Sequence, residues 1–124
     1  MRRLIVQPPA RSDERAILTV SFRNFGLAAR NRYRALLQQA YANLQNNPLR
    51  AGSVERSDLP GRVRVYHLRH ARSRLAKEKR TARPRHFIVF TFDEDAVRIV
   101  RVLHDAMDLA GHLAPLEESA EEQA

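Results

Sequence analysis

The chain has 124 residues and a formal net charge of +8, with 22 Lys or Arg against 14 Asp or Glu, which predicts one domain with a core of modest size. It contains no cysteine, which excludes a disulfide framework and any site that needs a thiolate. No apolar run is long enough to cross a bilayer, and the N-terminal residues do not have the pattern of a signal peptide, so the cytoplasm is the expected location.

The first predicted element is a short strand over residues 2–7, which ends at Pro8 and Pro9. Because prolines are tolerated in the first turn of a helix, a helix is expected next, over about 10–24, until Gly26 breaks it. Ala16, Ile17, Val20 and Phe25 are expected on one side of this helix.

A second helix is predicted over residues 27–46, because its apolar residues recur at helical spacing. These residues, which we expect in the core, are Tyr33, Leu37, Ala40, Tyr41 and Leu44. Since only a short break separates the two helices, they are expected to form an antiparallel helical hairpin.

Three strands are predicted after the Asn- and Pro-containing turn that follows the second helix. The first, over 62–68, has alternating valines and is expected to turn its arginines and Tyr66 to solvent. The second, over 86–92, is apolar on both faces and is expected at the centre of the sheet, and an acidic turn joins it to the third, over 97–103. The resulting order, β-α-α-β-β-β, predicts an α+β fold in which the helical hairpin packs on a small antiparallel sheet.

A basic insertion, residues 69–85, lies between the first two of these strands. Ten basic residues but only one acid, Glu78, are found from Arg62 to Arg85, and such a cluster favours binding to nucleic acid or to an acidic protein. Because like charges at this density repel each other, we expect the insertion to be mobile in the free protein. The predicted domain covers residues 1–114, and residues 115–124 are expected to form a disordered acidic tail.

Two stretches of the sequence carry a family resemblance. Residues 101–113, RVLHDAMDLAGHL, fit the pattern RVLHxxMDLxxHL, and residues 47–52, NPLRAG, fit the pattern NPLxxG. With the order of the elements, these motifs resemble the ParE branch of the ParE/RelE superfamily of bacterial type II toxin–antitoxin toxins. The resemblance implies a RelE/ParE-like fold, a role in plasmid stabilisation, and inhibition of DNA gyrase by binding. It also implies a hetero-oligomer with a cognate antitoxin, whose disordered segment would fold across the toxin.

The charge pattern and the resemblance together give a set of candidate partner-binding residues in the insertion and at the end of the last strand. They are Arg69, Arg72, Arg74, Lys77, Lys79, Arg80, Arg83, Arg85, Arg101, His104 and Asp108. Asp108 could instead cap a helix or pair with Arg101. No cofactor and no membrane partner is expected. A metal site is not expected either, because the histidines at 67, 70 and 86 are accompanied by only one carboxylate, Glu78.

Two other functions stay open at this point. RelE-type toxins cleave mRNA on the ribosome, and cleavage by a 2′-OH needs a proton acceptor, a proton donor and positive charge at the phosphate. A ribonuclease of this kind would use Arg85, Arg101, His104 and His112. The other possibility is a non-toxic, basic nucleic-acid-binding domain, whose affinity for DNA would fall with salt. Of the three functions, we expect a toxin that acts by binding rather than by catalysis.

Overall fold

The computed structural model describes residues 1–107, which form two α-helices, five strands and three 3-10 turns. The elements up to the long loop are β1 (Arg3–Val6), α1 (Pro8–Phe25), α2 (Leu27–Asn46) and β2 (Ser53–Glu55). The remaining strands are β3 (Arg64–His67), β4 (His86–Phe92) and β5 (Ala96–His104). The 3-10 turns lie between β3 and β4, at Leu68–His70, Arg72–Arg74 and Lys77–Lys79.

The five strands form one mixed sheet in the order β1-β5-β4-β3-β2. As predicted, β3, β4 and β5 pair antiparallel, and β4 is the central strand. β1 pairs parallel with β5. It lies along the edge of β5 that the antiparallel strands leave open. β2, which the sequence analysis missed, is a three-residue edge strand paired with β3. The predicted α+β class is therefore confirmed, with a mixed sheet of five strands.

Proline and glycine set the two ends of α1. Pro8 and Pro9 occupy its first turn, where a missing backbone N–H has no helical partner to lose, so the helix begins two residues earlier than predicted. Gly26 ends it with a φ of 91° and donates its backbone N–H to the carbonyl of Phe22. That backbone conformation favours glycine, and α2 begins at the next residue. Neither helix has the length and hydropathy that crossing a membrane requires, and no other helix within residues 1–107 has them.

The main core lies between the helical hairpin and one face of the sheet. The predicted stripe of α2 is confirmed, because each of its five members is at most 9% exposed. Tyr66 is expected on a solvent-facing side of β3, and that expectation is wrong: the ring is fully buried, and its hydroxyl accepts a hydrogen bond from Asn43 Nδ2 at 3.2 Å. The reason is that α2 covers this face of the sheet.

A second, smaller apolar cluster covers the opposite face of the sheet. Its buried members are Leu59, Val63, Val65, Val89, Val100 and Leu103. Leu59 belongs to the loop between β2 and β3, so this loop closes the face that the helices leave open. Burial on both faces explains why β4 has apolar residues on both of its faces.

α1 buries fewer of its residues than α2. Its only fully buried residue is Ala10, while Ile17 and Leu18 are partly buried against the main core. Val20 and Phe25 are 53% and 77% exposed, and Ala16 is exposed as well. The cause is that hydrogen bonds from the N-terminal half of α1 fix it to β5, so its last two turns face solvent.

Candidate functional site

The insertion at residues 69–85 is locally folded, in contrast to the mobile loop that its charge density predicts. Arg72 Nε donates to the carbonyl of Thr81 at 2.8 Å, and Arg80 Nε donates to the carbonyl of Leu75 at 3.0 Å. Ala71 is buried, and Leu75 packs against the main core. Two of the predicted partner-binding arginines, Arg72 and Arg80, therefore brace the insertion from within.

The other cations of the insertion face solvent. Five of them form no ion pair within residues 1–107, namely Arg69, Arg74, Lys77, Lys79 and Arg83. Arg85 is exposed too, and its Nε and Nη2 each lie 3.1 Å from Asp105 Oδ1. Since the insertion contains one acid, this surface keeps an excess of positive charge, which attracts polyanions and acidic peptides.

A groove of about 620 Å³ separates the helical hairpin from the insertion. One wall is apolar and comes from the hairpin, with Ile17, Val20, Phe25 and Ala29. The facing wall is basic, because Arg80, Arg83 and Arg85 line it, and Arg32 adds a further cation from α2. Such a groove suits an acidic segment that also carries apolar side chains.

Three histidines lie at the end of the sheet, and hydrogen bonds fix the proton on two of them. His67 Nδ1 accepts the backbone N–H of Arg69 at 3.1 Å, so Nε2 carries the proton and donates to Asp105 Oδ2, also at 3.1 Å. His104 Nδ1 accepts the backbone N–H of Ala106 at 3.1 Å, which places its proton on Nε2 as well.

Tyr33 of α2 orients the third histidine, His86. The Tyr33 hydroxyl accepts the backbone N–H of Arg85 at 3.2 Å and shares a hydrogen bond with His86 Nδ1 at 2.5 Å. The His86 ring also packs edge to face with the ring of His104, with centroids 5.3 Å apart. We call Tyr33, His67, His86, His104 and Asp105 the rim cluster; three of its members, Tyr33, His86 and His104, line the groove.

Burial and hydrogen bonds set the charge of the rim cluster. Burial, with a further contribution from His104, lowers the pKa of His86 to about 4, and burial raises the pKa of Tyr33 to about 12. The hydrogen bond from His67, together with that from Arg85, lowers the pKa of Asp105. Near neutral pH, His86 and Tyr33 are therefore neutral and Asp105 is ionised. In the groove, the His104 imidazole offers its Nε2–H as a donor, because its Nδ1 lone pair is already used.

Arg101 is bound to α1. Its Nε and Nη2 bond to the two carboxylate oxygens of Asp13 at 2.8 and 3.0 Å, and the same carboxylate accepts the N–H of Val102 at 2.9 Å. The two side chains are 22% and 15% exposed. The charge of Arg101 is thus compensated inside the domain, where it joins α1 to β5; its expected contact with a partner stays a prediction.

Two predicted site residues, Asp108 and His112, lie outside the described residues, as does the predicted acidic tail at 115–124. Within residues 1–107, no three His, Asp or Glu side chains are grouped so that they could hold a metal ion. The sequence analysis missed Tyr33 as a site residue because it belongs to the core stripe of α2. It missed Asp13 because nothing in the sequence links that position to β5.

The fold and the site together define a small α+β domain in which three histidines lie at one end of the sheet, next to an insertion with exposed cations. The family model described as "ParE toxin of type II toxin-antitoxin system, parDE" matches residues 4–109. The match covers most of the chain, so the chain belongs to the ParE toxin family, and the predicted family is confirmed. A search of curated proteins found no match to the chain.

Proposed function

We propose that this type II toxin acts by binding DNA gyrase, and that a cognate antitoxin neutralises it. The observation that carries the choice of binding over catalysis is that the three candidate catalytic groups within residues 1–107 are already engaged. The Nδ1 lone pair of His104 accepts from Ala106, and the two candidate charge stabilisers are each paired with a carboxylate, Arg85 with Asp105 and Arg101 with Asp13. A general base needs a free lone pair facing the substrate, and the described residues do not supply one at His104.

The exposed cations of the insertion support a negatively charged macromolecular target. Arginine binds phosphate and carboxylate in bidentate fashion, and gyrase working on DNA presents both groups. The brace formed by Arg72 and Arg80 holds these cations in place before binding, which lowers the entropy lost in the complex. Gyrase is a cytoplasmic target, in keeping with the expected location.

The two kinds of wall in the groove support it as the binding site of the antitoxin. Its apolar wall would bury hydrophobic anchors of the antitoxin, and its basic wall would pair with carboxylates. Val20 and Phe25 are more than half exposed in the free domain, so a bound segment would remove a large apolar area from water. A disordered acidic antitoxin segment that folds on binding has both kinds of side chain.

A supercoiling assay with purified gyrase tests the target. The chain should block supercoiling, and the fourfold substitution Arg69→Gln, Arg74→Gln, Lys77→Gln, Lys79→Gln should weaken the block by about 30-fold, at roughly 0.5 kcal/mol for each lost exposed charged contact. The matched control replaces four exposed hairpin residues, Arg11, Arg15, Arg23 and Arg34, by Gln. Because both variants lose the same net charge, equal inhibition by the two would reject the insertion as the contact surface.

The endoribonuclease alternative has one observation in its favour. The rings of His86 and His104 lie side by side in the groove, and neither Nε2 has a hydrogen-bond partner within residues 1–107. This alternative predicts mRNA cleavage during translation in vitro that His104→Ala abolishes, with supercoiling unaffected. A non-toxic nucleic-acid-binding domain predicts no effect on growth when the chain is induced without antitoxin. Either result would replace the gyrase proposal.

A further inference from the structure

We propose that the C-terminal segment of this chain, residues 109–122, binds in the groove of the same molecule. The segment would place its leucines on the apolar wall and its glutamates on the basic wall. The groove would then be covered before any partner arrives, and a partner that binds there would have to displace the segment.

The first observation is the composition of the segment. Three leucines, Leu109, Leu113 and Leu116, precede four glutamates at positions 117, 118, 121 and 122. From residue 108 to residue 124 the chain contains five acids and no Lys or Arg. An apolar part followed by an acidic part matches the two kinds of wall in the groove.

The second observation is that the groove needs such an occupant. Phe25 is 77% exposed and Val20 is 53% exposed on its apolar wall. On the facing wall, Arg83 has no carboxylate partner within residues 1–107, and Glu78 is the one acid that lines the groove. The Nε2–H donor of His104 is available to carboxylate oxygens. The burial of apolar area and the pairing of opposite charges therefore favour the same ligand.

The third observation is where the described chain ends. β5 ends at His104, which itself lines the groove. A turn follows, and the hydrogen bond from the Met107 N–H to the His104 carbonyl (3.0 Å) closes it. From this point, the nine residues up to Leu116 can extend over about 30 Å. The first glutamate can therefore reach any part of the groove. Because attachment to the same chain gives an effective concentration of about millimolar, even a weak intrinsic affinity is enough to occupy the site.

Paramagnetic labelling of the full chain tests this proposal, because the sequence contains no cysteine and one introduced cysteine can be labelled alone. A nitroxide on Ser119→Cys should remove the amide NMR signals of Ala29 and Ala82, on the two walls of the groove. The signal of Ser57, in the loop that covers the other face of the sheet, should remain. The signals of the groove should return in about 1 M salt, where the screening length falls to about 3 Å.

The charge contribution is tested by replacing Glu117, Glu118, Glu121 and Glu122 with Gln, which should restore the groove signals in the labelled chain. The matched control removes four exposed acids elsewhere, Glu55, Asp58, Glu94 and Asp95, and should leave the signals lost. Equal amide signals from the groove in the two variants would overturn the proposal. Uniform broadening of the amide signals of the labelled chain, or no broadening at all, would overturn it too.

Mixing identifies the molecule in which the segment binds. A nitroxide-labelled chain without ¹⁵N is added to an unlabelled ¹⁵N chain, and signal loss in the ¹⁵N chain would mean that the segment binds a second copy, which contradicts the proposal. Neither gyrase nor an antitoxin enters these experiments. A negative result would therefore leave the proposed function intact, and failure of the gyrase assay would leave this inference intact.

Discussion

The ion pair between Asp13 and Arg101 gives a prediction whose magnitude follows from the structure. In Asp13→Ala, a guanidinium and the backbone N–H of Val102 lose their partner at the same time. Breaking a buried ion pair costs about 3–5 kcal/mol. Because the two side chains keep 22% and 15% exposure, water compensates part of this loss, and we expect the free energy of unfolding to fall by about 2–4 kcal/mol. That is a large share of the roughly 5–15 kcal/mol that stabilises a typical domain.

Urea unfolding followed by far-ultraviolet circular dichroism measures this loss. Asp58→Ala is the control, because Asp58 pairs with Arg56 at 2.8 Å but its side chain is 63% exposed, and such surface pairs contribute little. The double variant Asp13→Ala, Arg101→Met should recover part of the loss, since it no longer leaves a charge without its partner. An Asp13→Ala protein as stable as Asp58→Ala would refute the structural role of the pair. A fully stable Arg101→Ala protein that no longer inhibits gyrase would instead show that Arg101 contacts the target.

Two further predictions concern stability. The pKa of His86 is lowered from 6.5 to about 4, so the unfolded chain binds more protons between these pH values, and the domain should lose stability as the pH falls through this window. In His86→Gln, the free energy of unfolding measured with urea should depend less on pH over that range. The smaller pH dependence that remains comes from His70, whose pKa is lowered in the same direction. An unchanged pH dependence would contradict its assignment to His86. Gly52 and Gly26 both have a left-handed backbone, with φ of 96° and 91°, but only at Gly52 would a Cβ meet a neighbour, the His70 ring at 2.7 Å. Gly52→Ala should therefore lower the melting temperature more than Gly26→Ala, and equal losses would mean that the ring moves aside freely.

The elements that could be predicted from the sequence are those with a strong local pattern. α2 and β4 have their predicted bounds, because one has a helical apolar stripe and the other has apolar residues on both faces. β2 has no such pattern: it is three residues long, and its central residue, Val54, is 52% exposed. β2 forms because it pairs with β3, and the residues of β2 alone do not indicate that partner.

The orientation of α1 shows the limit of periodicity. Its apolar residues do not select one face, and the face that packs is chosen by the bonds of Asp13 to Arg101, 88 positions away. The same limit applies to the prediction of the candidate site. Arg85 and His104 could be placed at one end of the sheet because they lie next to the ends of neighbouring strands. The link from Tyr33 to His86 spans 53 positions and is visible only in the folded chain.

The parallel pairing of β1 with β5 has a consequence for how the molecule is made. Arg3 pairs with Ala96, so the ladder of β1 closes a loop of more than ninety residues, and contacts at such separation form late and slowly. During translation, the first strand has no neighbour until the last one has left the ribosome. We therefore expect the sheet of a nascent chain to remain incomplete until β5 has been synthesised and has left the ribosome.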